Sequence, residues 1–342
     1  MRSLYHFFIL IAISSLIGAC QKSSTAPVPP HFNEGLEEGI NLGLAANYSN
    51  DQGIHLNPYV LAVENFESGK VTIETEENRY KEHVKVVAGE GYKSSFAGEH
   101  SWEEGHNGPT CRYPIPESAH EGERTAYFVR MYFKYDSSFH PYYGREFPED
   151  TYDGVGVKGF GIYNEQGPSG KKNPCDGTNW YGVACQFVGW GPSAKDVANN
   201  KFLWFGHLYS YNPDPKAAKA AVGEIKISNP SVGDKPYRFS IYSDPYHYLK
   251  FEEWNCYEVG LYLNTPGRND GEARFWINGI LQSRATNMRF RDIEDLKPLT
   301  VHLNLHRTTD DFPHTMKRYA DNIVIARRYI GPTVSSAQDT EP

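Results

Sequence analysis

Apolar and polar residues alternate with a period of two through the middle of the chain, and that period predicts strands. Over residues 125–135, Arg130, Tyr132 and Lys134 fall on one face and Val129, Met131 and Phe133 on the other, as in a half-buried strand. Residues 202–211 (Phe-Leu-Trp-Phe-Gly-His-Leu-Tyr-Ser-Tyr) read as a second long strand. Residues 257–264, 273–278 and 280–283 form a meander, its turns marked by Pro-Gly-Arg-Asn-Asp-Gly at 266–271 and by the hairpin pair Asn278-Gly279. Residues 299–306 alternate strictly: the leucines and Val301 face a core, while Thr300, His302, Asn304 and His306 face elsewhere. A closing strand spans 322–326. One short helix is predicted, with Asp214 as cap, Pro215 in the first turn, Lys216–Ala221 as its body and Gly223 as its stop. No repeat period is present. Strands at this spacing predict an all-β fold, a jelly-roll sandwich of two antiparallel sheets, in one domain over residues 36–332.

Composition agrees with that pattern. Aromatic residues make up 14% of the 342-residue chain, with 31 Gly and 22 Pro, which favours short strands joined by turns. Hydrophobic residues at 39% and charged residues at 22% exclude wholesale disorder. The net charge of −8 argues against a nucleic-acid partner, because neutralising phosphates needs a basic face. A polyanionic ligand stays open, since a local basic cleft can sit on an acidic protein.

The first residues read as an export signal. Arg2 is followed by the short apolar run 7–13 and then by Leu16-Ile17-Gly18-Ala19-Cys20, an apolar stretch too short to span a bilayer. The ending resembles a bacterial lipobox, which implies a signal peptide over 1–19, lipidation of Cys20 and a flexible tether to residue 35. Gln21 after the cysteine resembles outer-membrane sorting. The expected location is the outer membrane or cell surface, held there by the lipid, with residues 333–342 as a disordered tail. Four cysteines remain, Cys111, Cys175, Cys185 and Cys256. In an exported chain they permit two disulfides, with Cys175 and Cys185 close enough in sequence to close a loop, and buried free thiols are the alternative.

Three segments resemble the concanavalin A-like jelly-roll polysaccharide lyases, especially the family-14 alginate-lyase type and its relatives. The first is Trp254-Asn255-Cys256-Tyr257-Glu258-Val259 with the meander through Phe275-Trp276-Ile277-Asn278-Gly279. The second is Tyr319-Ala320-Asp321-Asn322-Ile323-Val324-Ile325-Ala326. The third is Gly156-Val157-Lys158-Gly159-Phe160-Gly161 with Tyr209-Ser210-Tyr211 downstream. Glu64-Asn65-Phe66-Glu67 resembles the opening strand. Most of residues 60–330 is covered. Around Lys158 the chain departs from the family's Leu-Pro-Gly continuation.

The resemblance implies β-elimination on a uronic-acid polysaccharide such as alginate or a glucuronan. Removing a proton beside a carboxylate needs a base, a donor or cation on that carboxylate, and an acid for the departing sugar oxygen. It places Lys158, Tyr209 and Tyr211 in the catalytic set, with Lys158 expected to lower the tyrosine pKa. The strand pattern adds His207 and His306 as assisting groups, and Arg130, Gln186, His302 and Asn304 as substrate-binding residues. Period-two spacing puts His207, Tyr209 and Tyr211 on one face and His302, Asn304 and His306 on one face of their strand. No cofactor is required by this chemistry. A structural calcium is suggested at Glu67 and Asp321 by their positions alone, capping or hydrogen bonding being the other use for such carboxylates. The competing function is a non-catalytic glycan-binding lipoprotein on the same fold, with the aromatic residues as stacking platforms. A glycoside hydrolase would need paired carboxylates on a cleft strand, and the Glu-x-Asp-x-x-Glu pattern is absent.

Overall fold

A computed structural model describes residues 43–103, 106, 108–120, 126–138, 156–165, 173–190, 203–228, 238–242, 251–306 and 315–334. The export signal, Cys20 and the tether lie outside the described residues, as does the tail from 335. No helix among the described residues is long and apolar enough to cross a membrane.

Among the described residues, sixteen strands form two antiparallel sheets, a jelly-roll sandwich. The nine-stranded sheet contains β1 (Val60–Glu64), β2 (Val84–Ala88), β3 (Phe96–Trp102), β5 (Ala126–Tyr135), β9 (Lys219–Val222), β12 (Trp254–Tyr262), β13 (Gly271–Ile277), β14 (Ile280–Met288) and β16 (Met316–Ala326). The seven-stranded sheet runs β10-β11-β8-β7-β6-β15-β4. Its strands are β10 (Glu224–Ser228), β11 (Arg238–Tyr242), β8 (Leu203–Tyr211), β7 (Trp180–Trp190), β6 (Gly156–Glu165), β15 (Thr300–Asn304) and β4 (Thr110–Pro114).

The inner faces meet in one core. On β5 the apolar set Val129, Met131 and Phe133 points inward, as its alternation predicts. The Phe133 ring meets Phe187 of β7 edge-on at 5.7 Å, and Phe187 meets Tyr257 of β12 at 4.9 Å, so rings from three strands interlock between the sheets.

The predicted helix is absent: residues 215–217 form a turn and 219–222 form β9, which pairs with β14 through Val222–Arg284, Ala220–Ala285 and Lys219–Thr286. Six Ala/Lys residues are too few to hold a helix alone, and the ladder to β14 satisfies their backbone instead. Gly223, at a φ of 83° that suits glycine, turns the chain from β9 into β10. The expected disulfides are also absent, since Cys111, Cys175, Cys185 and Cys256 are buried free thiols. Cys185 points into the inter-sheet core, whereas Cys175 packs with Trp180, so the two sulfurs occupy different clusters.

Arg130 lies on the outer face of the nine-stranded sheet, not in the cleft of the other sheet. It is fully buried there, ion-paired with Asp51, and it donates to the carbonyls of Gly331 (2.9 Å) and Asn322 (3.1 Å). Its neighbour Glu258 accepts the amides of Ile330 and Gly331, both at 2.7 Å. Together they fasten the two ends of the described chain onto the sheet. Glu67 and Asp321 sit at another edge and cap a loop: Glu67 accepts the amides of Ser95 (3.0 Å) and Phe96 (2.9 Å), and Asp321 accepts from the Tyr92 amide (2.8 Å) and the Ser94 hydroxyl (2.7 Å). Among the described residues, no group of three or more His, Cys, Asp or Glu is placed to hold a metal ion.

Candidate active site

The outer face of the seven-stranded sheet carries a cleft of about 180 Å³. Strand register explains how its residues meet. Lys158 of β6 is paired with Gln186 of β7, and Gln186 with His207 of β8, so the three side chains form one row across the sheet. A second row holds His302 of β15, Gly161, Ala184 and Tyr209; a third holds Tyr163, Gly182, Tyr211 and Arg238 of β11.

A bulge in β6 makes these rows share a face. Between Lys158 and Gly161 three residue steps on β6 oppose two on β7. Simple alternation would put Lys158 and Tyr163 on opposite sides, but the extra residue resets the parity and turns Lys158, Tyr163 and Glu165 all towards the cleft. Gly159 is required at the bulge: a Cβ there would lie 2.5 Å from Cys185 Sγ and 2.7 Å from the Phe187 ring. Gly182 leaves the space over which the Tyr163 ring lies.

Lys158 Nζ donates to Gln186 Oε1 at 3.0 Å and sits 4.0 Å from the centroid of the Tyr209 ring. The Tyr209 and Tyr163 hydroxyls are 2.7 Å apart, and the Tyr163 ring stacks on His302 at 3.9 Å. Glu165 is held by Arg112 of β4 at 3.2 Å and lies 3.6 Å from His302 Nε2. Trp180 and Tyr211 form an aromatic wall with centroids 5.1 Å apart. His207 stacks on Tyr242 at 4.8 Å.

Burial sets the protonation states. It brings the Lys158 ammonium down to about 7, with the charge of Arg238 adding to the effect. It brings His207 down to about 3, helped by Lys158 and Arg238, and His302 down to about 3, helped by Arg112. Both imidazoles are therefore neutral near neutral pH. The phenols move the other way. Burial raises Tyr209 and Tyr163, and each is raised further by a neighbouring tyrosine; burial also raises Tyr211, against the opposing charge and hydrogen bond of Arg238. Where Lys158 was expected to lower the tyrosine pKa, burial is the largest influence on these tyrosines and raises them. Burial favours the neutral form of both partners, giving an amine that can take a proton beside phenols that hold theirs.

Of the residues singled out in the sequence, Lys158, Tyr209, Tyr211, His302, Asn304 and His306 line the cleft, and Gln186 and His207 stand in its first row. Arg130 is on the other sheet. The sequence reading missed Tyr163, Arg112, Glu165, Trp180 and Arg238. The aromatic character of Tyr163 and Trp180 was visible, but nothing local marked the bulge that aims Tyr163 or the strand order that brings Arg112 beside His302.

No family model and no curated protein matches the chain. Among solved structures it is similar to alginate lyase Aly36B, at 13% identity and a TM-score of 0.52, over 79% of this chain and 98% of that one. It is similar also to two double mutants of that enzyme. One is in complex with an alginate trisaccharide (13% identity, TM-score 0.53, 79% and 98% of the two chains). The other is in complex with an alginate tetrasaccharide (14%, 0.51, 80% and 95%). At these identities the likeness is one of fold.

Proposed function

We propose that the chain is a polysaccharide lyase that cleaves a uronic-acid polymer, alginate or glucuronan-like, by β-elimination. The observation that carries this reading is the half-buried amine of Lys158, lowered to about 7 and placed 4.0 Å from the ring of a protonated tyrosine in an open cleft. The fold shared with an enzyme whose mutants bind alginate oligosaccharides supports it.

The chemistry follows from the protonation states. Neutral Lys158 accepts the proton next to the substrate carboxylate, and the C–H electron pair becomes the new C=C bond as the glycosidic C–O bond breaks. The departing oxygen takes the proton of the Tyr209 hydroxyl, which the Tyr163 hydroxyl at 2.7 Å can replenish. Gln186 and Asn304 supply amide donors for the carboxylate, on which negative charge builds. His207 and His306 flank the base, and the wall of Trp180 and Tyr211 stacks sugar rings. The amine of Lys158 thereby replaces tyrosine as the base.

The test is a panel of uronate polysaccharides incubated with the folded domain. Elimination is expected to raise ultraviolet absorbance from the conjugated double bond in step with new chain ends. Binding without any such rise would leave the glycan-binding reading. We also propose that the protein is exported and held at a membrane surface through lipid on Cys20. Cys20→Ser is expected to move it from the membrane fraction to the soluble one, and unchanged membrane association would refute this.

A further inference from the structure

Arg318 is a fully buried cation in the hydrophobic core. It lies on the inner face of β16, level with the apolar Met316 and Ala320, and its guanidinium sits 4.1 Å from the Phe133 ring centroid and 5.1 Å from that of Trp102. Among the described residues no Asp or Glu pairs with it. Its contacts are His100 Nδ1 (3.0 Å), the Tyr135 hydroxyl (3.5 Å), the Lys158 carbonyl (3.3 Å) and the Asn304 carbonyl (2.7 Å). A charge taken from water into such a core, with no counter-ion, is costly to keep. The remaining polar groups are arranged to serve it. His100 accepts from Arg318 through Nδ1, so its proton is on Nε2 and faces the Tyr80 hydroxyl at 2.9 Å. Burial and the Arg318 charge hold that imidazole neutral.

Two of the four acceptors are significant by position. The Lys158 carbonyl opens the β6 bulge, and the Asn304 carbonyl ends the paired part of β15. Both side chains lie in the cleft on the far side of the same sheet. A third link joins the two segments directly, from the Lys158 amide to the His306 carbonyl at 3.0 Å. The rigid fork of a guanidinium can bridge two carbonyls on separate strands in a way that neither lysine nor an apolar residue can.

We propose that Arg318 is a positioning residue of the cleft: from the opposite sheet it pins the backbone at Lys158 and Asn304, and so fixes the height and hydration of the Lys158 amine. It never meets substrate. The proposal rests on the lyase reading for its effect on turnover, but not for its effect on the amine. Among the described residues, the groups that face Lys158 are Gln186 on β7, His207 and Tyr209 on β8, Arg238 on β11 and His306 after β15, with Cys185 behind the sheet, and none of these is a carboxylate. Loosening the bulge admits water, and hydration favours the charged form, so the change pushes the amine upward.

The experiment compares wild type with Arg318→Met and Arg318→Lys, each checked for fold by circular dichroism. The Lys158 amine is titrated by its pH-dependent reaction with an acylating reagent, followed by peptide mass. In Arg318→Met the inflection is expected to move up by about one unit or more, towards the ordinary lysine range near ~10. On a polymer that the wild type cleaves, kcat should fall by roughly 10²-fold, the scale of an ångström-level misplacement, with KM little changed. Arg318→Lys keeps the charge but not the fork, and should fall between the two. A folded Arg318→Met with unchanged inflection overturns the proposal. If that variant does not fold, wild-type inflection and kcat in Arg318→Lys overturn it. Absence of cleavage by wild type would defeat the lyase reading alone, because the amine titration still decides the role of Arg318.

Discussion

Lys158 and Tyr209 depend on the same desolvated cleft floor, and their protonation states set the expected pH behaviour. A base must be neutral to accept a proton. The neutral fraction of Lys158 grows as pH rises through about 7, so kcat/KM should climb from the acid side and level off above that value. The alkaline limit is ionisation of the tyrosine acid, which burial delays beyond its ordinary range. A rate that is flat from mildly acid to mildly alkaline pH would remove Lys158 from the role of base. Lys158→Ala and Tyr209→Phe should each lose roughly 10²-fold or more in kcat, the usual contribution of a positioned acid or base. Tyr209→Phe keeps its ring under the amine, so polymer affinity should survive. Tyr211→Phe separates the two tyrosines: its ring belongs to the wall with Trp180, and its loss of turnover should be smaller than that of Tyr209→Phe.

At the level of the strands, period-two alternation was enough to identify β5, β8, β15 and the β12–β14 meander, and with them most of the core. It also grouped His207 with Tyr209 and Tyr211, which lie on the unbroken β8, and His302 with Asn304 on β15 and His306 two residues beyond its end. It failed where a strand breaks its own period or where partners come from elsewhere. Tyr163 and Glu165 share a face with Lys158 only through the bulge at 158–161. The outward face of β5, which carries Arg130, belongs to the opposite surface of the sandwich, and alternation does not say which of two outer faces a strand presents. The Ala/Lys run before Gly223 became β9 because an edge of β14 was available. The bulge is testable through its glycine. Gly159→Ala forces a methyl group against Cys185 and Phe187, so a loss of about 1–3 kcal/mol in chemical denaturation is expected. Turnover should fall beyond what the stability loss explains, since the displaced strand carries Lys158. Combining it with Cys185→Ala, which removes the nearest atom, should restore part of both; a Gly159→Ala variant with wild-type stability would show that the bulge does not need glycine.

Across the whole molecule, the two outer faces do different work. The seven-stranded sheet carries the cleft on its outer face, whereas part of the nine-stranded sheet is covered by residues 43–51 and 329–331, held by buried charge. Arg130 and Asp51 form an ion pair there with side-chain exposures of 0% and 4%, so neither partner can turn to water if the other is lost. Glu258 beside them is raised to about 8 by burial, against the two amides it accepts, so it binds a proton more readily folded than unfolded. Its contribution therefore weakens folding as pH rises from the ordinary carboxylate range through about 8. The ion pair bears most directly on how the ends are held. Asp51→Ala leaves a buried guanidinium whose remaining hydrogen bonds among the described residues go to the carbonyls of Gly331 and Asn322, and should cost about 3–5 kcal/mol. The double variant Asp51→Ala with Arg130→Met removes the stranded charge and keeps apolar volume under the covering segments, so it should be more stable than Asp51→Ala alone. The active face should register none of this: at temperatures where both variants remain folded, their kcat on a cleaved polymer should match wild type, because no cleft residue touches the pair. Equal stability of the single and double variants in denaturant melts would show that the covering segments, rather than the ion pair, hold this face closed.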